Sequence, residues 1–302
     1  MPDPFETLRM PVSAVQPDPA FAARLRERVA RALGLSMESP VTNQPLQTES
    51  SPATAAPDAL REGDIGYVSL WVRDAGRAAT FFADVLGWQF APAADQDSRQ
   101  VTSTALSHGI ASLRAVGSQV WGPRAASTLF LCFCVDDVDA SVERVRSAGG
   151  QAEEPTDEPY GRIANCVDDQ GLPFALYTPP VGYRPSRRAI STAGSGQVAY
   201  IAIGTRDADR ARAFFETVLG WRFRPGSTPG GWEVPEVVPM TGMMGGHDAP
   251  AVVPMYQVDD IEAAVARVRA AGGQATNPIR APYGLTSTCT DDQGTSFYLG
   301  QF

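Results

Sequence analysis

Residues 72–88 read VRDAGRAATFFADVLGW, and residues 205–221 read TRDADRARAFFETVLGW. The Arg-Asp pair, the Phe-Phe pair and the Leu-Gly-Trp ending recur at a constant spacing of 133 residues (207 − 74 = 133 and 221 − 88 = 133). Self-similarity at a fixed spacing indicates a duplicated structural unit. We therefore expect most of this 302-residue chain to be one kind of domain present twice.

A second set of matches follows at a spacing of 123 residues. The matching pairs are Val-Asp-Asp at 135–137 and 258–260, Ala-Gly-Gly-Gln-Ala at 148–152 and 271–275, Pro-Tyr-Gly at 159–161 and 282–284, and Asp-Asp-Gln-Gly at 168–171 and 291–294. The first repeat is thus ten residues longer than the second (133 − 123 = 10), between Trp88 and Val135. Because length changes occur mostly in surface connections, we expect one loop or hairpin to hold the difference.

Each repeat divides again into two units that have the same predicted order of strands and helix. Residues 65–72 predict a strand, Asp74 is placed to cap a helix, and residues 75–86 carry apolar side chains at helical spacing before Gly87 ends the helix. In the second unit, residues 128–135 predict a strand and Asp136-Asp137 precede the next helix, so these carboxylates are helix caps rather than a catalytic pair. Three short strands follow each helix. The pattern is βαβββ four times.

This pattern predicts an α+β fold of two tandem domains. Helices lie outside an open, mostly antiparallel, barrel-like sheet, whose other face curls into a cleft. The domains span 63–179 and 197–302, joined by a linker at 180–196. Residues 1–62 form an extension with an amphipathic helix at about 19–35 and a disordered tether. That helix docks on its own domains, binds another protein, or is simply solvated.

Composition excludes several classes of partner. Lys and Arg total 25 against 34 Asp and Glu, so the net charge is −9 and the pI is near 4.8. An acidic protein is repelled by nucleic acid and by anionic membranes. The acidic start lacks the parts of a secretory signal, and no apolar run is long enough to span a membrane, so we expect a cytoplasmic protein. The four cysteines then predict small buried thiols rather than disulfides.

The paired βαβββ units, the Asp after the first strand, the Phe-Phe helix ending in Leu-Gly-Trp and the late Asp-x-x-Gly turn resemble the vicinal-oxygen-chelate superfamily. This superfamily includes glyoxalases, bleomycin-resistance proteins and dioxygenases. The resemblance covers about 65–179 and 197–302. It implies a divalent metal held by His and Glu side chains on the cleft strands, since these donors leave positions open for substrate oxygens.

The residues at the implied metal positions depart from the family pattern. Those positions are Tyr67, Phe130 and Ala175 in the first domain and Tyr200, Val253 and Tyr298 in the second. The two histidines, His108 and His247, are 139 residues apart, which matches neither repeat spacing. We therefore predict no metal and no cofactor.

Strand alternation predicts which side chains line the clefts. In the first domain these are Tyr67, Ser69, Trp71, Phe130, Cys132, Ala175 and Tyr177, and in the second Tyr200, Met255, Gln257 and Tyr298. Aromatic side chains with a few hydroxyl, thiol and amide groups are typical of a small-molecule pocket. The alternative is that these side chains only pack the sheet interior or the contact between the domains.

The leading functional hypothesis is a metal-free binding protein that holds an apolar or aromatic metabolite or antibiotic in its clefts, as bleomycin-resistance proteins do. The competing hypothesis is a metal-independent lyase, isomerase or cyclase in natural-product metabolism. Tyr67, His108 and Tyr200 are then the candidate acids or bases, with Tyr298 as a further one. We expect both histidines to lie in exposed turns. A third hypothesis is a scaffold that acts through the N-terminal helix.

Overall fold

A computed structural model describes residues 58–124, 126–180, 186–191 and 194–302. The described residues form one compact unit. The predicted N-terminal helix and nearly all of the predicted tether lie outside the described residues, so the hypotheses about them stay predictions.

The first repeat forms an eight-stranded sheet with two helices. Its elements are β1 (Ile65–Val72), α1 (Ala75–Leu86), β2 (Ser98–Val101), β3 (Ser107–Ser112), β4 (Thr128–Cys134), α2 (Val138–Ser147), β5 (Gln151–Ala152), β6 (Thr156–Glu158), β7 (Gly161–Val167) and β8 (Pro173–Thr178). The strands lie in the order β2-β3-β1-β4-β8-β7-β5, and β6 pairs with β7.

The second repeat forms a nine-stranded sheet after a short helix, α3 (Arg187–Ser191), in the predicted linker. Its elements are β9 (Val198–Gly204), α4 (Ala208–Leu219), β10 (Arg224–Pro225), β11 (Gly231–Val234), β12 (Met240–Met244), β13 (Ala251–Gln257), α5 (Ile261–Ala270), β14 (Gln274–Ala275), β15 (Ile279–Ala281), β16 (Gly284–Thr290) and β17 (Ser296–Gln301). The order is β10-β11-β12-β9-β13-β17-β16-β14, with β15 on β16.

The predicted fold class is confirmed, because both sheets are mixed but mostly antiparallel. Only the pairs β1–β3, β4–β8, β9–β12 and β13–β17 are parallel among the described strands. The strand count per unit departs from βαβββ. After its helix, the first unit has two strands in repeat one and three in repeat two, and each second unit has four. Two-residue strands such as β5 carry too few apolar residues to show a period.

The predicted helix caps are present. The Asp74 carboxylate accepts the backbone N–H of Arg77, and Gly87 ends α1 in the left-handed region with φ 71°. Asp137 and Asp260 accept the N–H groups of Ala140 and Ala263 in the same way. These aspartates satisfy backbone donors that the first turn of a helix leaves without partners, so their role is structural.

The ten additional residues of the first repeat lie between β3 and β4. Ser107 in β3 and Met240 in β12 still differ by 133, whereas Thr128 in β4 and Ala251 in β13 differ by 123. The longer connection contains a turn of 3₁₀ helix at Leu113–Ala115 and a loop after it. We call residues 113–124 the inserted loop.

The helices of the two domains pack against each other, α1 on α5 and α2 on α4. Phe81 and Phe82 of α1 lie 6.1 and 5.4 Å from the ring of Phe297 in the second sheet. In the equivalent contact of the second repeat, Phe214 and Phe215 of α4 lie 6.1 and 5.9 Å from the ring of Phe174 in the first sheet. The two domains therefore share one hydrophobic core.

Polar contacts across the domain boundary come in matched pairs. The indole N–H groups of Trp88 and Trp221 donate to the carbonyls of Gly196 and Gly63, at 2.7 and 2.9 Å. An ion pair joins Arg77 to Asp292 at 2.6 Å, and its counterpart joins Arg210 to Asp169 at 2.7 Å. Because both helix layers lie inside this contact, the helix-free faces of the two sheets point outward.

Within the described part of the chain, no helix is long and apolar enough to cross a membrane. All four cysteines are buried, and none forms a disulfide.

Phe81→Ala tests the shared core. Phe81 is 3% exposed, so removing its ring leaves a cavity, and we expect a loss of about 3–5 kcal/mol in the free energy of unfolding. Chemical denaturation followed by tryptophan fluorescence measures it. The exposed neighbour on the same helix, Thr80→Ala, is the control and should change stability by less than about 0.5 kcal/mol. Two separate unfolding transitions in the wild type would contradict a shared core.

Candidate functional site

The side chains opposite the helices define one outward surface on each domain. The first cleft face consists of Tyr67, Ser69, Trp71, Phe130, Cys132, Ala175 and Tyr177. The second cleft face consists of Tyr200, Ala202, Gly204, Val253, Met255, Gln257 and Tyr298. Each set alternates along its strands with residues that pack toward the helices, such as Phe133 and Tyr256.

Strand register brings the predicted residues of each domain together in a row. Tyr67 lies opposite Cys132, which lies beside Ala175. In the second domain Tyr200 lies opposite Met255, which lies beside Tyr298. The second row therefore carries the larger side chains at two of its three positions.

The inserted loop covers the first cleft face. Trp121 lies 6.0 Å from the ring of Trp71 and 5.6 Å from that of Phe130, and those two rings stack at 4.6 Å. Glu153 holds the loop, because its carboxylate accepts the Ser118 hydroxyl and the Gln119 N–H at 2.7 and 2.6 Å. The aromatic cluster thus fills the space in which a ligand ring would lie.

The two faces differ in exposure as a result. Trp71, Phe130 and Cys132 are only 4, 8 and 3% exposed, and Ser69, Ala175 and Tyr177 are buried as well. On the second face Met255 alone is buried, while Tyr200, Ala202, Gly204, Val253, Gln257 and Tyr298 are all partly exposed. The second domain has Gly204 and Val253 where the first has Trp71 and Phe130, and no inserted loop. Its cleft face is the open one.

Large apolar side chains also surround the second cleft face. Four exposed ones are Met240, Ile279, Tyr283 and Phe302, at 54, 64, 48 and 60% exposure. Met240 lies beside Tyr200 on one side. On the other side the Tyr283 and Phe302 rings lie 6.4 Å apart. We call these four residues the apolar rim. Its one counterpart in the first domain is Tyr160, the equivalent of Tyr283.

The cleft tyrosines are poor candidates for a base. Burial raises the pKa of Tyr200 to about 12, and the Glu233 carboxylate adds to the effect. Burial also raises the pKa of Tyr67, although a hydrogen bond with Ser69 opposes it. Both phenols are therefore protonated near neutral pH and can donate a hydrogen bond, but not remove a proton.

His108 does not lie in an exposed turn, so that prediction is wrong. It is in β3, fully buried on the helix side, with its ring 4.6 Å from Trp88 and its Nε2 3.3 Å from the Tyr256 hydroxyl. Burial lowers its pKa to about 3. The strand alternation that turns Tyr67 outward turns His108 toward the other domain, away from both cleft faces. His247 is exposed, in the irregular connection after β12.

Comparisons with known proteins agree with this architecture. Residues 64–176 match the Glyoxalase/Bleomycin resistance protein/Dioxygenase superfamily, and residues 200–300 match a glyoxalase-like domain. The chain belongs to this superfamily. The putative glyoxylase CFP32 of Mycobacterium tuberculosis is 26% identical over 251 residues, which is 78% of this chain and 94% of that protein.

A further relative is the anthracycline biosynthesis protein DnrV of Streptomyces peucetius. It is 34% identical over 124 residues, or 40% of this chain and 43% of its own length. Among solved structures, the Mn(II)-bound glyoxalase of Novosphingobium aromaticivorans has a TM-score of 0.59 at 17% identity and covers 80% of this chain and 82% of its own. A catechol 2,3-dioxygenase has a TM-score of 0.58 at 14% identity, and the match covers 80% of this chain and 89% of that protein's chain. At these identities the structural likeness shows the fold alone.

The metal that other superfamily members hold does not fit the residues of this chain. Tyr67, Ala175, Tyr200 and Tyr298 occupy the rows in which the donors would stand, with Phe130 and Val253 alongside. An alkyl or phenyl group offers no donor, and a protonated phenol is a poor ligand for a divalent ion. In the described ranges, no three His, Cys, Asp or Glu side chains lie close enough together to hold an ion.

The residues missed by sequence reasoning are Trp121 and the apolar rim. The unequal repeat spacings located the insertion but not the face onto which it folds. The repeated Pro-Tyr-Gly stretch marked Tyr160 and Tyr283, and this was the one available signal for the rim.

The buried neutral His108 predicts a pH-dependent stability. A histidine with an ordinary pKa of 6.5 when unfolded and about 3 when folded stabilises the fold fully above pH 6.5 and loses that contribution as pH falls. We expect the free energy of unfolding to drop by about 2 kcal/mol between pH 7.5 and 5 through this group. Denaturation of wild type and His108→Thr at each pH gives the difference, since Thr241 occupies the equivalent position. His247→Ala is the control and should retain the dependence.

Because the described residues contain no donor set for a metal ion, we predict that divalent metal has no effect on stability. Dialysis against EDTA, then addition of 1 mM Mn²⁺ or Zn²⁺, should leave the melting temperature unchanged. A resident ion at about 100 times its dissociation constant would add about 2.7 kcal/mol. A stoichiometric transition metal in the purified protein, measured by mass spectrometry, would contradict the prediction.

Proposed function

We propose that the protein is a metal-free binding protein and that its second cleft face holds an apolar or aromatic small molecule. The observation that carries the proposal is the apolar rim around this face. Large apolar side chains left in contact with water form patches that typically mark ligand or partner sites. The first cleft face has no such patch, since its own aromatic rings are covered by Trp121.

The lining of the second cleft face supports this class of ligand. Tyr200 and Tyr298 supply ring surface and hydroxyl groups, and the buried Met255 lies between them in the row. The Glu233 carboxylate near Tyr200 pairs with Arg224 at 3.2 Å. The face thus offers contact area and a few hydrogen bonds rather than a strong field, which suits a largely uncharged aromatic body.

The similarity to DnrV supports a polycyclic aromatic ligand. DnrV is named for anthracycline biosynthesis, and anthracyclines contain a flat system of fused rings. A flat ring system matches a surface on which Ala202 and Val253 leave space beside aromatic side chains.

Matched variants of the two Pro-Tyr-Gly turns test which face binds. Fluorescence titration with doxorubicin, anthraquinone-2-sulfonate and 2-(hydroxymethyl)anthraquinone should find at least one that binds one-to-one. Tyr283→Ala should then weaken binding about tenfold, because a buried aromatic ring contributes about 1.5–3 kcal/mol. Tyr160→Ala is the control and should bind as wild type.

A blocking variant completes the test. Val253→Trp places a large ring on the second cleft face and should abolish binding with little loss of stability, since Val253 is partly exposed. Binding lost in Tyr160→Ala but kept in Val253→Trp would move the site to the first domain. No binding of any of the three compounds, or conversion of one to a product, would overturn the proposal, the latter in favour of the enzyme hypothesis.

A further inference from the structure

One end of the second cleft face carries an imidazole where the first carries an indole. Gly204, the last residue of β9, is the equivalent of Trp71 (204 − 71 = 133). The ring of His247 lies against it. A Cβ atom at Gly204 would stand 3.0–3.1 Å from three atoms of that ring. Glycine at this position therefore leaves room for the His247 ring, which occupies the site of the missing Trp side chain.

The backbone around His247 is held in place. Its N–H donates to the carbonyl of Thr205 at 3.1 Å, and the N–H of Gly246 donates to that of Arg206 at 3.0 Å. The Arg206 guanidinium donates to the Asp248 carbonyl at 2.9 Å and the Gln170 carbonyl at 2.8 Å. The connection between β12 and β13 lacks the ten-residue insertion. It therefore turns back directly over the end of β9, where His247 lies.

The His247 ring is left free to meet a ligand. The side chain is exposed, and its ring nitrogens have no hydrogen-bond partner among the residues that the structure describes. The charged groups of this loop are Arg206, whose guanidinium already donates to two carbonyls, and the exposed Asp248. A structural histidine such as His108 is instead buried and bonded. The His247 side chain is therefore placed to contact a ligand and is not part of the hydrophobic core.

We infer that His247 is a specificity-determining residue of the second cleft face and selects ligands with an acidic substituent at that end. The inference rests on the proposed function. Gly204 and Tyr200 are four residues apart on one strand, which is about 13 Å. A body of three fused rings approaches that length together with its substituent, so its polar substituent would lie at His247 and its far end toward Tyr200. The imidazole N–H donates to an oxygen of that substituent.

Two probes with one skeleton test the inference. Anthraquinone-2-sulfonate carries an anionic acceptor, and 2-(hydroxymethyl)anthraquinone carries a neutral hydroxyl at the same position. Calorimetric titration of the full chain should show that His247→Ala weakens the sulfonate at least tenfold and the neutral compound less than threefold. His247→Lys should keep the preference for the sulfonate, because the ammonium also donates to it. Asp248→Asn, in the same loop, is the control and should not weaken the sulfonate.

The outcomes separate this inference from the proposed function. Equal losses for both probes in His247→Ala, or no loss for either, would overturn the role of His247 while binding in the cleft stands. If neither probe nor doxorubicin binds the wild type, both proposals fail. Circular dichroism and melting of each variant guard against unfolding, which is not expected for an exposed side chain.

Discussion

The reciprocal packing of the two Phe-Phe helices is the contact on which the rest of the structure depends. Phe81 and Phe82 complete the core of the second sheet, and Phe214 and Phe215 complete that of the first. Each helix has adjacent large apolar side chains, which point in different directions around its axis, so one helix can serve its own sheet and its neighbour. This contact buries the apolar side of each helix and leaves the helix-free faces of both sheets outside it.

The two faces have diverged although the repeats have kept their fold. In the first domain the inserted loop places Trp121 against Trp71 and Phe130. These rings cover the first cleft face, so that face is not open. In the second domain the same strand positions hold Gly204 and Val253. Burial of aromatic area is favourable in either arrangement, whether the ring comes from the chain or from a ligand. The first domain supplies its own ring, and the second leaves four large apolar side chains exposed around an open face.

Burial also sets the chemistry of the titratable groups. Burial between the domains lowers the pKa of His108, and burial in the cleft faces raises the pKa of Tyr67 and Tyr200. A metal site in these rows would need imidazole or carboxylate donors, and the ion would compensate the burial of a carboxylate. This chain places neutral groups there, so the rows are stable without an ion and offer surface rather than Lewis acidity.

The sequence by itself determined the duplication, the caps, the fold class and the side of each strand, because those depend on repeat spacing and local periodicity. It also identified the rows Tyr67–Cys132–Ala175 and Tyr200–Met255–Tyr298. Only the tertiary structure decided that His108 is buried, because that depends on the other domain covering β3. Only the tertiary structure also decided where the side chains of Trp121 and His247 lie. Where a loop folds is set by long-range contacts such as those of Glu153 and Arg206, which leave no period in the sequence.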